Sequence, residues 1–476
     1  LNVQALKPLI EKGAVKQETI DDKVRRILRT AVRFGWLDRP QQDPNVPLFN
    51  ARGREVALQA AREAVVLLKN DGNVLPFDRS KLRSIAVIGP NGYPGAILGG
   101  GSATVATFRS ISLLEGLSDA LGSAVDVHFA RGVVDLPRAA RATVLTTAPN
   151  GPQRGWNVEV FDNFDLAGAP SSTRVDAVID QGQPVDLSAF AAGEAELDLS
   201  LFAVSKPVST RWTGYFTPNQ AGVHDLVVQL GGFSRQLGYR LYIDDKLVID
   251  RWMRKQAPVE TVSLELDARP HKIVLEHRTI TGGLDGPIPI VRFGIVAQRD
   301  WVDEAAEALA AQVDAVVLAV GFDAKSEMEE WDRTFGLPPG QDELIRRITA
   351  KNRKTVVVIT SGGAVDMNGW IDRTPALLQA WYLGQEGGRA LADILIGEAN
   401  PSGRLPATFE RHWKDNPTHD SYYPPDAGSR VEYREGIFVG YRGYEKRGVQ
   451  PLFPFGHGLS YSKFSYSNLS VRELPA

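Results

Sequence analysis

The sequence predicts an α/β protein: a mostly parallel α/β sandwich domain carrying an inserted all-β sandwich module. Three observations predict it. Continuous apolar runs alternate with helical periodicity from about residue 50 to 146, and the same alternation resumes after 300. Between these stretches helical spacing disappears, and short alternating segments separated by turns replace it. Strands that are apolar throughout belong in a parallel sheet covered on both faces, whereas half-buried alternation belongs in an antiparallel sandwich.

Taken in order, residues 1–40 read as two helices. Thr19 is placed to cap the second, with Asp21 and Asp22 in its first turn and Ile20, Val24, Ile27, Leu28 and Ala31 at helical spacing until Gly35. Two helices cannot bury that stripe alone, so it is expected to meet residues before Leu1 or after the Pro40–Pro47 linker. The chain opens with neither an initiator Met nor a signal pattern, which reads as a start within a longer protein. Residues 41–149 and 299–425 supply the α/β domain. Its strands fall at Ser84–Gly89, Val125–Phe129, Val313–Val320, Thr355–Thr360 and Leu377–Trp381, with helices at Leu113–Leu121, Val302–Leu309 and Asp342–Ala350. Residues 150–298 form the insert, with turns at Asp244-Asp245 and Gly282-Gly283. The segment 426–476 is loop-rich, and Phe464, Tyr466 and Leu469 suggest the first strand of a further domain.

Composition removes several classes of function. With 476 residues, two or three domains are expected at roughly 150 residues each. A formal charge of −3 offers no basic excess to neutralise a phosphate backbone, so no nucleic-acid partner is expected. The absence of cysteine excludes disulfides, thiolate zinc sites and cysteine nucleophiles. No apolar run approaches the ~20 residues needed to cross a bilayer, and no membrane partner is expected. The compartment stays open, with the periplasm or the exterior slightly favoured over the cytoplasm; a homo-oligomer is among the options for assembly.

The residues that could carry chemistry cluster at Ser326–Arg333, just after the strand ending at Val320. Glu327, Glu329, Glu330 and Asp332 stand within six positions there. Ligands of open α/β sheets gather beyond the carboxyl ends of strands, and crowded carboxylates supply a general acid near neutral pH. On residue physics alone a solvated acidic loop, with Asp332 and Arg333 in structural ion pairs, is the stronger reading. The glycine-rich stretch Gly89–Ala103 matches neither dinucleotide nor P-loop spacing and reads as a tight turn beside a pocket. The seven histidines show no metal spacing, and no metal is expected beyond a weak calcium option at Asp244 and Asp245.

Ordered strings sharpen this. LLKNDGNVLP at 67–76, IAVIGPNG at 85–92, GGGSA at 99–103, the acidic loop followed by LPPGQ at 337–341, QAWYLGQEGG at 379–388, NPSGRLPATF at 400–409, EGIFVGYRGYEK at 435–446 and PLFPFGHGLSY at 451–461 together resemble glycoside hydrolase family 3, the β-glucosidase family. RWTGYFTPNQAG at 211–222 and RLYIDDKLVID at 240–250 look like a protective-antigen-type β module. The resemblance implies a retaining mechanism in which an aspartate on an N-terminal (β/α)8 barrel attacks the anomeric carbon and a glutamate of the following domain protonates the leaving oxygen. No cofactor is implied. Aligning the family's E-x-E-G-aromatic-D-R loop on Trp331-Asp332-Arg333 assigns the acid/base to Glu329, with Glu327 and Glu330 as alternates, Glu330 standing where glycine is usual. The barrel's nucleophile string is absent from these residues. The resemblance therefore implies that residues 1–40 are the barrel's last helices, that the missing barrel of the same protein is the partner, that 426–476 leads into a fibronectin-type-III-like domain, and that the chain alone is inactive. The substrate implied is a terminal β-D-glucosyl residue of a β-glucoside or oligosaccharide. A β-xyloside, or a non-catalytic glycan-binding role, is the alternative. Phe233, Tyr239 and Trp252 of the insert are candidates for stacking on sugar, though residues of this kind are more often sandwich core.

Overall fold

The computed structural model describes residues 3–40, 50–100, 104–105, 107–181, 206–231, 238–252, 258–281, 290–329, 333–422 and 430–472. The chain divides into two compact units, Leu1–Arg54 and Glu55–Ala476.

In the first unit, α1 (Val3–Glu11) and α2 (Gln17–Arg33) form the two expected helices, and α2 stops at Phe34 before Gly35 at φ 65°. The expected cap is corrected. Lys16 occupies the N-cap position of α2 with no side-chain hydrogen bond, and Thr19 lies inside the first turn. The apolar stripe Val24, Ile27, Leu28 and Val32 is exposed, and Ala31 is buried.

The helix α3 (Ala51–Ala64) carries the boundary between the units, and the second unit then alternates as expected. Its first half holds β1 (Val66–Asn70), β2 (Ser84–Ile88), α4 (Leu113–Leu121), β3 (Asp126–Ala130) and α5 (Leu136–Ala142). Ser112 caps α4 through a reciprocal box with Glu115, satisfying donors that the first turn would otherwise leave unpaired. Strands only follow among the described residues from 156 to 297: β4 (Trp156–Phe161), β5 (Ser172–Asp176), β6 (Asp180–Gln181), β7 (Lys206–Phe216), β8 (Gly222–Gly231), β9 (Gly238–Ile243), β10 (Lys246–Asp250), β11 (Val259–Leu266), β12 (His271–Thr281) and β13 (Ile290–Ala297). The alternation resumes with α6 (Glu304–Gln312), β14 (Ala315–Gly321), α7 (Gln341–Lys351), β15 (Thr355–Thr360), β16 (Ala376–Gln379) and α8 (Gly387–Leu395), and the short helices α9 (His419–Tyr422) and α10 (Tyr441–Arg447) come last.

The first sheet has the order β1-β16-β15-β14-β2-β3. Every neighbour is parallel except β1, which runs antiparallel to β16 along an edge that the sequence reading passed over. Alternate residues of one strand feed opposite cores: Val316, Leu318 and Val320 pack with Leu344 and Ile348 of α7, while Ala315, Val317 and Ala319 pack with Leu117 of α4 and Leu391 of α8. That explains why β14 is apolar at every position. The strands from β4 to β13 pair antiparallel in two sheets, β10-β9-β12-β7-β4-β5 and β11-β8-β13-β6. Their shared core is built on Trp156, Trp212, Tyr239, Leu241, Leu275 and Phe293. At the far end, described residues 462–472 form no strand, and Tyr466 and Leu469 are exposed, so the strand expected there is not present.

Candidate active site

Strand order reverses between β2 and β14, because the chain runs outward from β2 to β3 on one side and from β14 to β16 on the other. Crevices beyond the carboxyl ends at such a reversal are where open α/β sheets hold ligands. β14 ends on a glycine and β2 is followed directly by one, each bringing the backbone across its neighbour. Gly89 lies at φ 123°, where a Cβ would stand 2.1 Å from the Ala319 carbonyl oxygen, and Gly321 at φ 122°, 2.0 Å from that of Thr360. No side chain fits there.

The acidic loop leaves β14 at this crevice. Its first turn is wound on Asp323, whose carboxylate accepts from the Lys325 N–H (3.0 Å) and the Ser326 hydroxyl (2.8 Å). The turn delivers the chain to the glycine-rich loop after β2. There Gly100 pairs in parallel with Met328: the Gly100 N–H donates to the Glu327 carbonyl (3.0 Å), and the Glu329 N–H donates to the Gly100 carbonyl (3.1 Å). Asn91 ties the same two loops together by donating to the Phe322 carbonyl (3.1 Å).

The two described glutamates of the loop differ in environment. Glu327 is half-buried and fully engaged. One carboxylate oxygen accepts from Arg333 Nε at 2.8 Å, and the other from the Gly362 N–H at 2.9 Å and the Tyr382 hydroxyl at 2.6 Å. Arg333 is fixed in turn by donating to the carbonyls of Thr334 (3.1 Å) and Ala364 (2.7 Å), with its guanidinium 4.8 Å from the Phe322 ring centre. Burial, reinforced by the Glu327 carboxylate, pushes the Tyr382 phenol far above its ordinary value, so it donates at any working pH. Glu329 is exposed on the loop's crest. Glu330 lies outside the described residues, as does Phe233. A cavity of about 190 Å3 adjoins the loop, lined by Phe322, Ser326, Thr334 and Leu337 on one side and by Val259 and Thr261 of β11 on the other.

Of the four described candidates in the insert, Tyr239 and Trp252 are buried, and Asp244 and Asp245 are engaged by basic side chains at a surface turn. Tyr239 is 1% exposed, and its hydroxyl donates to Glu260 at 2.6 Å. Trp252 is 6% exposed, with the guanidinium carbons of Arg240 and Arg278 at 4.8 and 5.5 Å from its ring centre. Both are core residues. Asp244 accepts from Arg269 (2.7 Å) and the Lys272 N–H (2.9 Å) and lies 2.9 Å from His271 Nδ1, while Asp245 pairs with Lys272 Nζ (2.7 Å). The two aspartates, at φ 48° and 64°, make the hairpin turn from β9 to β10, which is a structural duty.

Sequence reasoning did not single out Tyr382 or Gly362. Both stand just past carboxyl ends of parallel strands, β16 and β15, and that position in the order of elements was the available signal.

An acidic loop thus stands at the reversal point of a mostly parallel sheet, and comparison with known proteins gives the family. The glycosyl hydrolase family 3 C-terminal domain matches residues 65–461, and the chain belongs to that family. It is 35% identical over 490 residues to the probable beta-glucosidase I of Aspergillus terreus, an alignment covering 98% of this chain and 55% of that protein. The Aspergillus fumigatus protein of the same name is 35% identical over 492 residues, covering 99% of this chain and 56% of that one. The chain thus spans a little over half the length of these relatives. Among solved structures it resembles a Kluyveromyces marxianus beta-glucosidase in complex with glucose (TM-score 0.55, 27% identity, 94% of this chain and 54% of that one). It also resembles DesR, a beta-glucosidase from Streptomyces venezuelae in complex with D-glucose (TM-score 0.61, 25% identity, 97% and 52%).

Proposed function

We propose that this chain is the acid/base half of a retaining, exo-acting β-glucosidase that removes terminal β-D-glucosyl residues, with Glu329 as the general acid and base. The observation that carries the reading is the position of Glu329: exposed on a loop whose backbone is pinned to Gly100 through the Glu327 carbonyl and the Glu329 N–H, at the reversal point of the sheet. The relatives' names support the choice of β-glucoside. In this reading Glu329 gives its proton to the leaving oxygen as an aspartate, on a barrel outside these residues, attacks the anomeric carbon; water then enters as Glu329 takes the proton back. The chain by itself therefore hydrolyses nothing. Residues 1–40 serve as the closing helices of that barrel, 41–149 and 299–425 as the acid/base domain, 150–298 as a protective-antigen-type module beside it, and 426–476 as the approach to a fibronectin-type-III-like domain. The two antiparallel sheets within 156–297 support the module reading.

The test uses the full-length protein with an alkyl β-glucoside, whose poor leaving group needs protonation. Glu329→Gln is expected to lower kcat/KM by roughly 10²–10⁴-fold, the range for a lost general acid. Turnover at the unmutated rate would falsify the assignment.

A further inference from the structure

We infer that Glu327 is a positioning residue: its carboxylate, gripped by Arg333, Gly362 and Tyr382, fixes the loop so that Glu329 presents its proton to the leaving oxygen. This rests on the acid/base reading of Glu329 and deepens it. Three loops of the sheet's carboxyl edge converge on this one carboxylate, from partners 6, 35 and 55 positions away along the chain. Such a carboxylate is poorly suited to proton transfer. One of its oxygens is held by a guanidinium and the other by two donors, so protonating it breaks the contacts that hold the loop. It is well suited to fixing geometry. One residue, Met328, separates Glu327 from Glu329, and its bridge to Gly100 grips the intervening backbone, so the clamp and the bridge together leave the loop little freedom to swing.

Further contacts fit this role. Trp381 adopts the left-handed conformation (φ 53°), with its indole N–H donating to the Ala64 carbonyl at 3.0 Å, which anchors the residue immediately before Tyr382. A side chain at 362 or 363 would disturb the grip directly, because a Cβ on Gly362 would stand 2.8 Å from a Glu327 carboxylate oxygen and one on Gly363 would stand 3.3 Å from Arg333 Nη2. Both glycines leave room for the ion pair.

A positioning residue and a proton donor leave different kinetic signatures. Misplacing the acid slows substrates that need protonation and spares those that do not, whereas a general loss of fold slows all alike. Full-length Glu327→Gln, Tyr382→Phe and Glu329→Ala are compared with the unmutated protein on an alkyl β-glucoside and on 2,4-dinitrophenyl β-glucoside, with and without azide. Glu327→Gln is expected to lose about 10- to 100-fold in kcat/KM on the alkyl substrate, to lose little in kcat/KM on the dinitrophenyl substrate, and to yield no glucosyl azide. Tyr382→Phe, which removes one donor of the three and keeps the ring, is expected to show the same split at smaller size. It also preserves the test if Glu327→Gln fails to fold. Glu329→Ala is expected to form β-glucosyl azide, because azide replaces the water that its missing base would activate. Equal losses on both substrates in the Glu327 and Tyr382 variants overturn the positioning role and leave the Glu329 reading intact. Azide rescue of Glu327→Gln but not of Glu329→Ala overturns both.

Discussion

The molecule contains two clusters of the same composition with opposite settings. At the edge of the parallel sheet, Glu327 accepts from an arginine and a tyrosine, Arg333 and Tyr382. In the antiparallel sheets, Glu260 accepts from Arg251 Nε at 3.1 Å and the Tyr239 hydroxyl at 2.6 Å. The difference lies in what supplies them. Glu260, on β11 of one sheet, takes partners 9 and 21 positions away from the other sheet, just after β10 and on β9, and Tyr239 is buried. Glu327 collects partners from separate loops and sits two residues from an exposed carboxylate. Side-chain chemistry does not tell the two clusters apart. Loops converging on an exposed acid do.

The comparison breaks most visibly on Tyr239. Truncating this buried ring to alanine is expected to cost about 3–5 kcal/mol of stability, the range for large aromatic-to-alanine changes in cores. In the full-length protein the ratio of alkyl to dinitrophenyl turnover should nevertheless hold steady. A shift of that ratio like the one expected for Tyr382→Phe would show that the insert's cluster also governs proton delivery.

A second contrast between the regions is in pH. Burial, with the Asp366 carboxylate adding to it, pushes Asp342 of α7 up to about 6, against the pull of the Trp370 indole N–H at 2.7 Å. The folded state therefore holds this proton more tightly than the unfolded chain, and the stability it contributes is full below pH 3.8 and fades as pH rises through 6. In the insert, burial lowers His277 of β12 from 6.5 to about 4. There the unfolded chain binds the proton first, so stability is full above 6.5 and fades as pH falls towards 4. Over the shared window the two oppose each other. Against the unmutated protein, Asp342→Asn should make stability climb more steeply from pH 4 to 6, and His277→Leu should make it fall more steeply, each by about 2 kcal/mol at ~1.4 kcal/mol per pH unit with allowance for screening. Denaturant titrations across that range check both slopes, and curves parallel to the unmutated one would remove this contrast.

The smallest expected effect is that of Tyr239→Phe. It takes one hydrogen bond from Glu260 while Arg251 remains, and about 1 kcal/mol is expected. Thermal melting of the variant measures it, and a loss as large as that of Tyr239→Ala would mean that the hydroxyl, not the ring, holds the insert together.

How much of this was legible in the sequence follows from the same contrast. The central strands of the parallel sheet were readable because β14 and β15 are buried on both faces and so are apolar at every position. The edge strand β1 was missed: it is five residues long and runs into the Asp71-Gly72 turn, leaving no periodicity to read. Within the insert, Arg211 of β7 and Arg292 of β13 stand between buried residues and pair with Glu276 and Asp180 of neighbouring strands. The acidic loop was legible as a cluster of like charges. Its division of labour was not, since the donors that engage Glu327 come from Gly362 and Tyr382, which the sequence presents as a loop glycine and a strand-end aromatic. Tyr239 and Trp252 attracted attention as aromatics, and only burial separates a stacking ring from a core one.

The single backbone pairing of Gly100 with Met328 also limits how this region can be re-engineered. Successive side chains on an extended segment alternate sides, so adding or deleting one residue between Asp323 and Met328 would exchange the neighbours of position 329 for it at the crest. Loop grafts intended to broaden the mouth of the crevice therefore need to conserve length parity there, and diversity is better introduced after Arg333, beyond the last residue that grips the turn.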